Sequence, residues 1–102
     1  MTVITKIPKK IMCANKRRHL ILKHKWFEMI KSGKKREEYR RATSYWLKRI
    51  PWWSDFDLVV FHDGYTSNTI EYVITNVTIG YGNPDIGAPV DEEVLIIKFE
   101  DI

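Results

Sequence analysis

The period of this chain changes at Gly33. Before it, Trp26, Phe27 and Ile30 recur at i, i+1 and i+4, which is one face of a helix over residues 24–32. After it the side chains alternate as on a strand, with Lys35, Glu37 and Tyr39 on one side and Arg36, Glu38 and Arg40 on the other. Glycine takes the left-handed conformation at little steric cost, so the helix stops there and a strand begins. The stretch Ser32–Arg41, SGKKREEYRR, holds five cations and two glutamates. A glycine elbow leading into such a strand can present cations and a carboxylate to a cleft. The plainer reading is a solvated edge strand kept soluble by its charges, and on pattern alone it takes precedence.

The remaining elements define a fold class. His19–Lys23 is expected as a short buried strand. Thr43 or Ser44 can cap a second helix over 43–50, with Trp46, Leu47 and Ile50 as its apolar face and Pro51 at its end. Trp52 and Trp53 follow in a loop; two adjacent tryptophans do not easily face one core, so one is expected at the surface. Phe56–His62 is a strand, and Asp63-Gly64 a turn. Thr69–Ile79 is a long strand whose apolar parity switches after Ile74, the mark of a bulge. After a loop rich in glycine and proline, Val94–Phe99 is apolar on both faces and therefore central. The order β-α-β-α-β-β-β predicts an α+β fold, a small mixed β-barrel of about five to six strands with two short helices beside it.

Length and composition narrow the functional classes. The 102 residues make one domain, with residues 19–102 as its body and residues 1–18 as a basic N-terminal arm. No apolar run reaches the roughly 18 to 20 residues that span a bilayer, and the N-terminus lacks the apolar core of a secretory signal. Cys13 is the only cysteine, which excludes an internal disulfide and points to a reducing, cytoplasmic setting. The net charge of +4 conceals a division. Residues 1–50 carry 16 Lys and Arg against three acids, whereas residues 51–102 carry one cation against ten acids. A basic face for a polyanion is one consequence; mutual neutralisation of two packed halves is the other.

Other chemistries find no purchase. His19, His24 and His62 lack metal-ligand spacing, so no metal and no cofactor are expected. His19 and His24 are read as structural or phosphate-contacting. There is no phosphate-binding glycine loop, dinucleotide fingerprint, nucleophile elbow, helix-turn-helix or zinc finger. What remains is a basic half interleaved with aromatics. Cations there can track phosphates, and Tyr39, Tyr45, Trp46, Trp52 or Trp53 can stack on a base.

From Gly33 the chain reads G-K-K-R-E-E-Y-R, fitting G-x-K-x-x-E-x-R. This resembles the signature of the ASCH domain (activating signal cointegrator homology), a branch of the PUA-like superfamily. The helix Trp26-Phe27-Ile30 is similar to that family's lead-in, Val60–Tyr65 to its central strand and turn, and Gly87-Ala88-Pro89 with the strand through Phe99 to its end. The resemblance covers about Leu20 to Ile102. It implies a PUA-like β-barrel with a basic cleft beside the motif and a role in RNA binding or metabolism. The cleft residues it implies are Gly33, Lys35, Glu38 and Arg40; beside them, Arg36, Tyr39 and Trp46 are expected as further ligand contacts from the basic, aromatic-rich half. The expected partner is RNA, single-stranded nucleic acid, a nucleoside or a nucleotide. The alternative is a small hydrolase of a modified nucleoside or of RNA. Some small bacterial members look like amidohydrolases of acetylated cytidine, in which a threonine stands at the position of Glu38. Were this chain an enzyme, Lys35 and Glu38 would be the catalytic pair. Residues alone leave Glu38 open between accepting from a base, acting as general base and pairing with Arg40.

Overall fold

A computed structural model describes residues 16–53 and 57–102 of the chain. Five strands form one mixed sheet, β1 (Arg17–Leu22), β2 (Glu37–Arg41), β3 (Leu58–Asp63), β4 (Thr69–Tyr81) and β5 (Glu93–Glu100), in the order β1-β3-β4-β5-β2. Only β1 with β3 is parallel; the other three pairings are antiparallel. Helices α1 (His24–Lys31) and α2 (Ser44–Leu47) complete an α+β fold. Among the described residues no backbone ladder joins β1 to β2, which stand at the two ends of the strand order. Among the described residues no helix is long and apolar enough to cross a membrane.

The elements arise where local chemistry favours them. Helix α1 turns Phe27 and Ile30 into the core and closes in a Schellman arrangement. Gly33 sits at φ 86°, its N–H bonds Ile30 O at 3.0 Å, and the Lys34 N–H bonds Met29 O at 2.9 Å. The Lys35 N–H bonds the same Met29 carbonyl at 3.0 Å. The helix end therefore holds the backbone of the first motif lysine. In β4 the register skips between Ile74 and Asn76, so Thr75 is the bulged residue at the expected parity switch. Strand β5 lies between β4 and β2, and Val94 through Ile97 are all buried, as expected of a central strand.

Several boundaries differ from expectation. The first strand begins at Arg17 and ends at Leu22, since its ladder with β3 starts at Arg17–Leu58. The basic arm expected over residues 1–18 thus lies, up to residue 15, outside the described residues. The second helix is one turn long instead of spanning 43–50. Thr43 caps it, its hydroxyl accepting from the Trp46 N–H at 3.4 Å, but Pro51 opens a 3₁₀ turn over Ile50–Trp52. The proline follows Ile50 and cannot donate to an α-helical ladder, so the chain tightens before it arrives. Of the expected apolar face, Ile50 is buried, Trp46 packs at the core margin and Leu47 is exposed. Trp52 is 78% exposed while Trp53 packs on the core, so one tryptophan of the pair is at the surface.

The main core joins Leu20, Leu22, Phe27, Ile30, Val59 and Phe61 to Tyr72, Ile74, Leu95 and Phe99. Phe61, Tyr72 and Phe99 meet with ring centroids 4.9–6.1 Å apart, in tilted and edge-on contacts. A second, smaller cluster of Tyr39, Ala88, Val94 and Ile96 lies against β2. This second cluster is what buries one side of the charged strand.

Candidate functional site

Strand β2 is an edge strand, as its charges suggested, but it is not a solvated one. Lys35 is 1% exposed and Glu38 6%. The aliphatic stem of Lys35 threads inward from the helix end, and its ammonium lies 5.3 Å from the Trp26 ring and 4.6 Å from the Tyr39 ring. The ammonium donates to Ile86 O and stands 3.3 Å from Glu38 Oε1. Gly87 follows directly, at φ 115°, with Lys35 Nζ 3.3 Å from the position a Cβ would take. A larger residue there would press on the amine.

Glu38 divides its two oxygens between two cations. Oε1 faces Lys35, and Oε2 accepts from Arg40 Nε at 3.1 Å and lies 3.0 Å from Arg40 Nη2. Glu38 and Arg40 share a strand face, as their spacing requires. Lys35 joins them against the expected alternation, which placed it with Glu37 and Tyr39. The reason is that residues 34–36 precede the strand and follow the helix end, so period two does not yet apply. Among the described residues no buried side-chain nitrogen or oxygen lacks a hydrogen-bond partner.

Arg40 also connects the two edges of the sheet. Its Nη2 donates to Ile21 O on β1 at 2.9 Å, and its guanidinium lies 5.2 Å from the Trp46 ring. An open groove of about 310 Å³ follows this junction, lined by Ile21, Lys23 and Trp26 on one bank and Glu38, Tyr39, Arg40 and Arg41 on the other. Lys25 sits 4.7 Å from the Trp26 ring, adding a cation near that bank. A second groove of about 250 Å³ runs along Tyr39–Arg41 toward Gly87–Pro89.

Burial shifts two ionisations here. Loss of water holds the Lys35 pKa below the usual lysine value, with the carboxylate of Glu38 pulling it back up. Burial pushes the Tyr39 phenol up to about 12, assisted by its hydrogen bond to Glu37 and opposed by the Asn83 N–H that it accepts. The Tyr39 hydroxyl donates to Glu37 Oε1 at 2.8 Å and accepts from Asn83 N at 3.2 Å.

The structure therefore brings Lys35, Glu38, Tyr39, Arg40 and Trp46 together. It sets two expected residues apart. Gly33 is exposed at the helix end with nothing near its missing side chain, and it shapes the elbow without lining the groove. Arg36 is exposed and lines a different groove, beside Lys98 and Asp101. Sequence reasoning missed the Trp26 ring, the Ile86 carbonyl and the Ile21 carbonyl. The sequence places Trp26 only on the apolar face of its helix, and no pattern marks which backbone carbonyl a distant side chain will reach. His19 pairs with His62, Nδ1 to Nε2 at 2.9 Å, and His24 with Asp63 at 3.0 Å, so neither lies in this groove.

No protein-family model matches this sequence, and a search of the curated proteins finds no match either.

Proposed function

We propose that this chain is an RNA- or nucleotide-binding domain of the ASCH type, a PUA-like barrel in which the groove between β1 and β2 takes the ligand. The observation that carries the reading is Arg40. Its guanidinium is oriented by Glu38, Ile21 O and the Trp46 ring, yet stays 20% exposed along the groove. A planar fork held at a fixed angle suits a phosphate or the edge of a base. Lys23, Arg41 and the nearby Lys25 add positive charge on both banks, and the exposed part of Trp26 offers a face for stacking. The barrel would be completed at its open side by the Arg40 bridge and by the ligand itself.

The hydrolase alternative rests on Lys35, whose lowered pKa suits a general base. Its amine is already engaged by Glu38 and Ile86 O and is sealed from water, which favours a structural role in the groove wall. Fluorescence polarisation of a labelled single-stranded RNA tests the binding reading. With about four phosphates neutralised, log affinity falls against log salt with a slope near −3. Arg40→Ala weakens binding about tenfold or more, Glu38→Gln less, and the double change little more than Arg40→Ala alone. Salt-insensitive binding, or full affinity in Arg40→Ala at unchanged melting temperature, would sink the reading.

A further inference from the structure

On the far side of α1 from the groove, three side chains of metal-ligating type converge. His24 and Glu28 lie one helical turn apart, and Asp63 closes β3 beside them. One ligand atom from each, the ring nitrogen and two carboxylate oxygens, lies within 4.8 Å of the other two. Helical spacing i, i+4 aims the first two at a common point. The third comes from a strand 39 residues away, which is why no sequence spacing reveals the set.

We propose that His24, Glu28 and Asp63 bind a divalent cation of the zinc class. One imidazole with two carboxylates suits zinc better than magnesium or calcium, which prefer all-oxygen shells. Zinc bonds of about 2.0–2.2 Å require ligand atoms somewhat closer together than the widest separation here. His24 and Glu28 are exposed, with room for their side chains to shift that far, whereas Asp63 is buried and supplies a fixed anchor.

A second observation points to a ligand. The Asp63 carboxylate is only 12% exposed, yet both its oxygens face the same atom, His24 Nδ1, at 3.1 and 3.0 Å. That imidazole is itself 72% exposed. Such a pair replaces only one of the several water contacts a carboxylate loses on burial, and a cation between the two groups would serve both oxygens and the nitrogen at once. Two carboxylates offset the ion's +2 charge, which otherwise stands badly at a helix N-terminus. Glu28 also borders a groove of about 360 Å³ with Lys31, Ser67, Asn68 and Thr69, so the site adjoins open space.

Isothermal titration of zinc into the full-length chain tests this, in a Cys13→Ser background because a thiol is itself a zinc ligand. The expected result is one ion per chain and reversal by a chelator. Glu28→Ala changes an exposed residue and folds, whereas His24→Ala leaves the buried Asp63 carboxylate without its partner, so its melting temperature is measured beside its affinity; each variant loses at least about tenfold in affinity. The double variant His19→Ala, His62→Ala keeps the parent affinity. Absence of binding at millimolar zinc overturns the proposal. So does unchanged affinity in Glu28→Ala, which reduces the site to a histidine–aspartate pair at a helix end. Loss of binding only in the His19, His62 variant places the ion at the other histidine pair and also overturns it.

Discussion

Glu37 and Glu38 are neighbours on one strand and live in different solvents. Glu38 is buried between Lys35 and Arg40 at 3.3 and 3.0 Å. Glu37 is part-exposed, with Lys98 at 3.6 Å, and its neighbouring surface pair Arg41–Glu92 meets at 2.7 Å with side chains 66% and 42% exposed. The shortest contact is thus among the weakest, because water screens it and two long side chains must be ordered to make it. The buried set has lost its water, so each member depends on the others. Distance alone would rank these pairs in the wrong order; burial ranks them correctly.

The largest effect that would break this contrast is Glu38→Ala. Removing the carboxylate leaves a buried ammonium and a guanidinium facing one another, and the expected cost is about 3–5 kcal/mol in urea unfolding. Glu37→Ala costs less, about 1–3 kcal/mol, nearly all of it from leaving the buried Tyr39 hydroxyl without its acceptor and not from the exposed contact with Lys98. Equal costs would erase the distinction between the two glutamates.

Gly82→Ala tests whether the wall behind Tyr39 can yield. A Cβ there would stand 2.6 Å from Tyr39 Cε1 and 2.7 Å from Ala88 Cβ. The expected loss is roughly 1–3 kcal/mol, as for other overpacked sites. A change with no effect on melting would mean that the small cluster gives way, and that Lys35 is held less firmly than its contacts suggest.

Tyr39→Phe sharpens the contrast through pH. The folded-state phenol is pushed up to about 12 from an ordinary 10.0, so the folded protein keeps a proton the unfolded chain releases. Its contribution is therefore complete below pH 10 and is lost as pH rises toward about 12. The parent should lose stability more steeply than Tyr39→Phe over that window, read as melting temperature against pH. Parallel curves would show that the phenol is not buried in solution. Smallest of all is the Arg41–Glu92 pair, whose double-mutant cycle should yield a coupling of about 0.2–1 kcal/mol that fades with salt.

How legible this protein is varies by element. Gly33 announces its own conformation, since few other residues take a φ near 86°. The bulge at Thr75 is written in the parity of Ile70, Tyr72, Ile74 and Val77, and the central place of β5 in its unbroken apolar run. The pairing of Glu38 with Arg40 follows from strand spacing. Lys35 misled because its backbone belongs to the helix end, where Met29 O holds it, and not yet to the strand. Counting charges also favoured a solvated strand, because the Tyr39–Ala88–Val94–Ile96 cluster that shields it comes mostly from residues about fifty positions on.

The sequence by itself determined the local turns of this molecule: where the helix stops, where the strand begins, which residues alternate, and that five cations and two carboxylates crowd into ten positions. Those outcomes depend on backbone sterics and on neighbours within a few residues. Only the tertiary structure decided which of those charges lose their water. It brought the Ile86 carbonyl to Lys35, the Ile21 carbonyl to Arg40 and the Asp63 carboxylate to His24. Each contact joins residues 19 to 51 positions apart, and desolvation is set by every atom that packs around a group, wherever in the chain it comes from.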